Sequence, residues 1–266
     1  MNKKTPDILY KYRNWTAEFE KRTITHREFY LANPNSFTDE YDCSIPLDFE
    51  SVTTEQIQKR YFEFSKKNNP DYSRAKHRAF ARSWTKKGLL KNKNRVKEIE
   101  SEYFEIFDKL SGVLSLTGFP NLMRMWEEYA SDHQGFCIGI KSKYMLENSD
   151  IFGSCGPVIY DEKLPSISPL YDPNQKIKSF TDQVFRKLTK WDFENEYRFF
   201  KIRKYGLSNQ ERKIMVDPEA ISEIILGSNM IDTHKEEIRN IAKKELPFTS
   251  IFQAEINNDR IQFKDL

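Results

Sequence analysis

Cysteine and histidine are scarce in this chain, at three and four among 266 residues. Cys43, Cys137 and Cys155 are odd in number and widely spaced. That argues against a disulfide framework and against a zinc site. The histidines show no metal-ligand spacing, so no metal is expected. A soluble protein in a reducing, cytoplasmic setting follows. No apolar run reaches the ~18 residues of a membrane-spanning helix. The N-terminal "MNKKTPDILYKY" lacks the apolar core of a secretory signal. No membrane contact is expected. The turn after Leu226, "GSNMID", holds a single glycine and is not a phosphate loop.

Charge and aromatics are abundant. Charged residues make up 31% of the chain and mean hydropathy is -0.75, yet 14% of residues are aromatic. A disordered chain is poor in aromatics, so this one builds a core rich in Phe and Tyr. The length suits one large domain or two small ones. Net charge is +3 but unevenly spread: Tyr72 to Lys97 holds ten Lys or Arg and no Asp or Glu. Such a stripe is either a solvated helix face or the footprint of a phosphate-bearing partner. Arg74, Arg78, Arg82, Lys86 and Lys87 would make the contact with a nucleic acid.

Hydrophobic periodicity predicts strands at "DILYKYR", "REFYLANP", "GVLSLTG", "GFCIGIK", "GPVIYD", "KWDFENEYRFF", "RKIMVD", "ISEIILG" and "TSIFQAEI". Thr53 with Gln56 reads as a capping box that opens a helical stretch. Pro70 and Gly88 mark its breaks, and it runs to about Leu110. Asn121 is placed to cap a helix carrying Leu122, Met125, Trp126, Tyr129 and Ala130 on one face. Strands often follow one another directly, which indicates α+β rather than a βαβ series. A single α+β domain over 1–266 is expected, with a helical insertion at about 53–110.

Read as a strand, "KWDFENEYRFF" puts Trp191, Phe193, Asn195, Tyr197 and Phe199 on one, almost wholly apolar face that is expected to pack on the core. Asp192, Glu194, Glu196, Arg198 and Phe200 fall on the other. Glu194 and Glu196 would then lie roughly 7 Å apart, close enough to share a substrate. They would also disfavour each other's charge unless a cation offsets it. On residues alone, the pair is either a charge ladder with Arg198 and a neighbouring lysine or an acidic site.

The chain resembles the bacterial family known as domain of unknown function 2971. The resemblance rests on "LYKYR", "FYLANPNSFTDEYDC", "LSLTG", "MWEEYASDHQGFCIGI", "KWDFENEYRFF" and "PEAISEIILG", in that order. The most specific blocks are the one opening at Met125 and the W-x-x-E-x-E-Y-R block. Thr38, Asp39 and Glu40 stand where family members often have Asn-Asp-Pro. The family's organisation in turn resembles the ADP-ribosyltransferase fold, which implies a split antiparallel β-sheet core with an inserted helical lobe. That fold's signature is a basic residue on the first strand, Ser-x-Ser/Thr on a second, and a Glu on a later strand. In one subgroup this Glu is the second of Glu-x-Glu. Here the signature falls on Arg13, on Ser115 and Thr117, and on Glu194 and Glu196.

The resemblance implies an NAD-consuming enzyme, a transferase or a glycohydrolase, acting as a toxin or antiphage effector. NAD would be its substrate, and the acceptor a protein or nucleic acid. Glu196 would stabilise the developing ribosyl cation and Glu194 would deprotonate the acceptor. Ser115 would orient the Glu or the ribose. Arg13 would hold the pyrophosphate, with Thr117 beside it as part of the signature. Tyr12 or Trp126 would stack on nicotinamide, although the apolar helix face makes Trp126 a core residue as well. Two other functions fit the composition. One is a nucleic-acid-binding protein or metal-dependent nuclease that grips phosphate through the basic stripe and binds Mg²⁺ through Asp39, Asp42, Glu194 and Glu196. The other is a non-catalytic sensor on a decayed transferase fold.

Overall fold

A computed structural model describes residues 4–170 and 176–266. The first elements are β1 (Ile8–Arg13), α1 (Glu18–Thr25) and β2 (Glu28–Tyr30), followed by three helices, α2 (Thr54–Asn68), α3 (Arg74–Lys86) and α4 (Lys93–Leu110). Next come β3 (Ser111–Thr117), α5 (Met123–Tyr129), β4 (Phe136–Lys141), α6 (Ser142–Glu147), α7 (Ser149–Phe152), β5 (Ser154–Pro157) and β6 (Ile159–Asp161). They lead to α8 (Lys176–Phe185), β7 (Arg186–Leu188) and β8 (Glu196–Ile202). The last are α9 (Asn209–Arg212), β9 (Lys213–Met215), β10 (Ile221–Leu226), α10 (Asp232–Glu245), β11 (Ser250–Asn257) and β12 (Arg260–Asp265).

Eight strands form the central sheet in the order β12-β11-β10-β4-β1-β3-β8-β5. Its pairings are antiparallel except β10 with β11, which α10 connects. The fold is therefore mixed α+β with a large, mostly antiparallel sheet. The sheet is nearly divided. β1 runs along β4 through six register pairs, and β3 along β8 through seven, but β1 and β3 share only the pair Tyr10–Thr117. Two wings diverge from that point.

Side-chain alternation gives the sheet two apolar faces. On one, Leu9, Leu114, Leu116, Ile138, Ile140, Phe199 and Ile224 bury against Trp15 and against Ile238 and Ala242 of α10. On the other, Tyr10, Tyr12, Cys137 and Ile225 pack under Trp126 of α5 and Ala130 just after it. Each large side chain taken out of water contributes about 1.5–3 kcal/mol.

The α2–α4 segment lies between β2 and β3. Its start is locally encoded: both bonds of the Thr53–Gln56 capping box form. α2 ends before Pro70, and Gly88 takes a left-handed turn after α3. α4 ties the segment to the loop after β2, to α8 and, through Phe107 beside Phe200 at 6.3 Å, to β8. Glu100 accepts the Leu47 amide at 2.8 Å, Asp108 accepts from Asn33 at 3.1 Å, and Phe107 stacks on Phe180. Three local expectations shift. Leu122, not Asn121, holds the N-cap position of α5, and no side chain caps it. "REFYLANP" forms a strand over Glu28–Tyr30 and a single bridge from Ala32 to Val113, and Pro34 then starts a turn. β12 forms where no strand is expected, since it buries only Ile261.

Candidate functional site

"KWDFENEYRFF" is not one strand. Thr189–Glu194 forms a 3-10 turn, Asn195 is left-handed at φ 44 and ψ 51, and β8 starts only at Glu196. Asn tolerates that backbone region better than most residues do. The expected alternation therefore fails before Glu196. Trp191 and Glu194, assigned to opposite faces by alternation, both reach one cavity. From Glu196 to Phe200 both faces of the strand are buried.

The turn brings together a buried charge cluster. The Lys187 ammonium lies 2.6 Å from Glu194, 3.1 Å from Asp42 and 3.6 Å from Glu196. Arg198 donates from Nε and Nη2 to the two oxygens of Glu196, each at 2.8 Å. It also contacts both oxygens of Asp42, at 2.7 and 2.9 Å, and donates to the Val184 carbonyl at 2.7 Å. The Tyr129 hydroxyl donates to Glu194 at 2.7 Å, and the Glu196 amide donates to the Tyr160 hydroxyl at 2.9 Å. Three carboxylates thus face two cations. Removing one member of such a group costs about 3–5 kcal/mol, because its partner stays buried and uncompensated.

The two glutamates are driven apart in acidity. Burial pushes Glu196 up, but Arg198 and Lys187 outweigh it and hold its carboxyl below the usual range. Burial and the neighbouring Glu196 raise Glu194, and Lys187 offsets them only in part. Asp42 is held low by Arg198 and Lys187 against its own burial. Burial and Glu194 push the Tyr129 hydroxyl upward, so it stays a hydrogen-bond donor. Two carboxylates with opposed shifts in one cavity have the arrangement that separates an ionised group from a proton-exchanging one.

The cavity holds about 220 Å³ and opens where the wings diverge. Tyr10, Tyr12, Phe37, Leu116, Met125 and Trp191 supply apolar walls, with Glu194, Glu196, Asp42, Lys187, Lys11 and Ser115 among its polar groups. Largely apolar walls with a few convergent polar groups are the usual form of a small-molecule site. Four enclosed polar atoms of lining residues have no hydrogen-bond partner: Ser115 Oγ, Trp191 Nε1, Asp39 Oδ2 and Asp42 Oδ1, the last held by charge alone beside Arg198. Buried polar atoms are rarely left unsatisfied, so the first three stand ready for a ligand. Lys11 belongs by alternation to the face of Leu9, yet its ammonium donates to the Ser115 carbonyl at 2.7 Å in the gap between wings. Burial and the nearby Arg13 lower its pKa to about 7.

Of the residues singled out in the sequence, Glu194, Glu196, Ser115 and Tyr12 line this cavity, while Arg13, Thr117 and Trp126 do not. Arg13 lies beside Glu20 at 3.8 Å, with a lowered pKa from burial. β1 offers the cavity Lys11 in its place. Thr117 is buried, its hydroxyl donating to the Asn195 carbonyl at 3.3 Å. Trp126 is wholly enclosed, edge-on to Tyr12 and stacked on His133, so it has no free face for nicotinamide. The Tyr12 hydroxyl is engaged with the Phe119 carbonyl at 2.9 Å. Asp39, Asp42, Glu194 and Glu196 do not form an open acidic cage. Lys187 occupies the centre of three of them, and Asp39 pairs with Lys190 at 2.9 Å. Among the described residues no group of His, Cys, Asp and Glu is spaced to hold a metal ion. No helix among them is long and apolar enough to cross a membrane.

Sequence reasoning missed Lys11, Lys187 and Tyr129 as site residues, and assigned Trp191 to the core. Tyr129 does follow the apolar helix face, but it sits at the open end of α5 with its ring 40% exposed and its hydroxyl on Glu194. No curated protein and no solved structure matches this chain. Over residues 125–199, which carry Tyr129, Lys187 and the Glu194–Glu196 turn, the chain resembles the family described as protein of unknown function DUF2971.

Proposed function

We propose that the cavity binds NAD and cleaves its nicotinamide–ribose bond, on a core arranged like that of the ADP-ribosyltransferases. One observation carries the proposal. Glu194 and Glu196, with opposed pKa shifts, line a cavity together with Ser115 at the point where the sheet divides.

Glu196 stays ionised under Arg198 and faces the ribose. As the C–N bond breaks, its electron pair leaves with nicotinamide and positive charge develops on the ribose. A fixed carboxylate stabilises that charge. Water or an acceptor nucleophile then bonds to the ribose carbon, and its proton passes to Glu194, whose affinity for a proton is raised by burial and by Glu196. Ser115 Oγ, free of other partners, hydrogen-bonds the ribose. Trp191 and Tyr10, rather than Trp126, flank the nicotinamide ring. Lys11 takes the place of Arg13 as the cation for the anionic portion of the ligand. Release of nicotinamide from NAD by the purified protein, with and without candidate protein and RNA acceptors, tests the proposal. Release that Glu196→Gln abolishes supports it. Binding of NAD without release leaves a sensor, and neither binding nor release removes the NAD reading altogether.

A further inference from the structure

α3 carries a second surface, separate from the cavity. Arg74, Arg78 and Arg82 recur every four residues and form one exposed stripe. They line an open groove with Lys59 and Phe62 of α2. From Arg74 to Arg82 the stripe runs about 12 Å along the helix axis. On the adjoining flank, Tyr72, Phe80 and Trp84 line another open groove with Lys76. These rings are ordered as a platform. Phe80 lies 5.7 Å from Trp84 and is stacked on Phe64 at 6.4 Å. Lys76 sits over Tyr72, and Lys87 over Trp84 at 3.5 Å. Phe64 remains 50% exposed and Tyr72 41%.

A solvated helix face accounts for the charges but not for the exposed Phe64 and Tyr72 rings, and the half-buried Phe80 and Trp84, beside them. Among the described residues no ion pair involves Arg74, Arg78 or Arg82, and Glu55 is the single carboxylate on their groove. Guanidinium groups at fixed spacing recognise phosphates. Flat aromatic faces beside them stack on bases only where the bases are unpaired. A duplex hides its base faces, and an anionic vesicle has none. The geometry points to α3 as a binding surface for single-stranded nucleic acid, with Arg74, Arg78 and Arg82 on the phosphates and Tyr72 and Phe80 under the bases. This surface stands independently of the NAD proposal.

The test is fluorescence anisotropy of the full chain with a labelled single-stranded oligouridylate across a salt series. The same strand in a duplex, heparin, and phosphatidylserine vesicles serve as competitors. Each phosphate contact on a single strand contributes about -0.7 to the slope of log K against log salt. Replacing Arg74, Arg78 and Arg82 together by alanine should therefore reduce the slope by about 2. Tyr72→Ala should weaken binding by at least about fivefold, the low end for a lost base stack, without changing the slope. Far-UV circular dichroism confirms that both variants are folded. Preference for the single strand over duplex, heparin and vesicles, with both mutant effects, supports the assignment. It is overturned by absence of binding at low salt, by heparin, duplex or vesicles binding as tightly, or by an unchanged affinity in Tyr72→Ala.

Discussion

The Lys11 ammonium donates to the Ser115 carbonyl at 2.7 Å, and that bond joins β1 to β3 where their backbones have parted. In a regular ladder the Ser115 carbonyl would accept from a backbone amide. Here a side chain from the opposite face reaches through the gap. The same gap opens the cavity, so the bond that closes the sheet also places a cation beside Glu194 and Glu196. Its lowered pKa records the cost of holding a charge there.

That cost gives a pH signature. Lys11 has a pKa of about 7 in the folded chain, against 10.5 ordinarily. Below pH 7 both folded and unfolded chains hold the proton. Between about 7 and 10.5 only the unfolded chain does, so Lys11 makes stability rise with pH by up to about 1.4 kcal/mol per unit. Buried cysteines and tyrosines act in the opposite direction as pH rises, because burial raises their pKa values. Urea midpoints at pH 7 and pH 9 for wild type and Lys11→Met separate these effects. The stability of wild type relative to Lys11→Met should rise by about 2–3 kcal/mol between the two pH values. A pH-independent difference would show that Lys11 is not held near neutrality.

Arg198 is the keystone of the charge cluster, fully buried, with Glu196 bidentate upon it and Asp42 accepting through Oδ2 and in ionic contact through Oδ1. Arg198→Met should destabilise the protein by about 3–5 kcal/mol at neutral pH, since it leaves two carboxylates with Lys187 alone. Adding Glu196→Gln to it should cost less than the two single losses summed, because the second change removes a charge already stranded. The low pKa values of Asp42 and Glu196 carry a further sign. Their contribution is present above the ordinary carboxylate range and is lost as pH falls through the lower folded values. Denaturant titrations on the acid side should show wild type losing stability toward acid more steeply than the double variant.

Legibility in the sequence followed the range of the interactions. The Thr53–Gln56 capping box was readable because both partners lie within one turn of helix. Glu194 and Glu196 were readable as a pair through their spacing, but through the wrong geometry. Their convergence comes from the left-handed Asn195 and not from strand alternation. Tyr197 and Phe199 were correctly placed on the core face because alternation does hold beyond Glu196. Lys187 and Lys11 were not readable. A lysine in sequence looks like a surface charge, and only tertiary packing decides that its ammonium is enclosed. Arg13 was singled out over Lys11 for the converse reason: nothing in "LYKYR" says which of the two reaches the gap. The division of the sheet between β1 and β3 has no local signal either, since it depends on strand partners far apart in the chain.

Asn195 offers a direct test of the turn. At φ 44 and ψ 51 an L-residue is strained, Gly is not, and Asn lies between them. Asn195→Gly should leave stability within about 1 kcal/mol of wild type, the usual entropic cost of a glycine. Asn195→Val should lose about 2 kcal/mol or more, since a β-branched residue is poorly accommodated there. Thermal melts distinguish the two. If valine were tolerated as well as glycine, Glu194 would not depend on a left-handed residue to reach the cavity.

The division of labour between the glutamates predicts different kinetic lesions, read as nicotinamide release from NAD and as transfer to an acceptor. Glu196→Gln removes a fixed charge that acts on the breaking bond, so both readouts should fall by about 10²–10³ at every pH. Glu194→Gln removes the proton acceptor. Transfer should fall by about 10²–10⁴, while bond cleavage, assayed by nicotinamide exchange into NAD, should fall less. The pH profiles sharpen the contrast. Wild-type transfer should rise on an acidic limb set by Glu194, placed above the ordinary carboxylate range by burial and by Glu196. Glu194→Gln should lose that limb, and Glu196→Gln should shift it downward, because the charge that helps to raise Glu194 is gone. Equal losses in both variants with unaltered pH profiles would mean that the pair acts only as part of the buried charge cluster with Lys187 and Arg198.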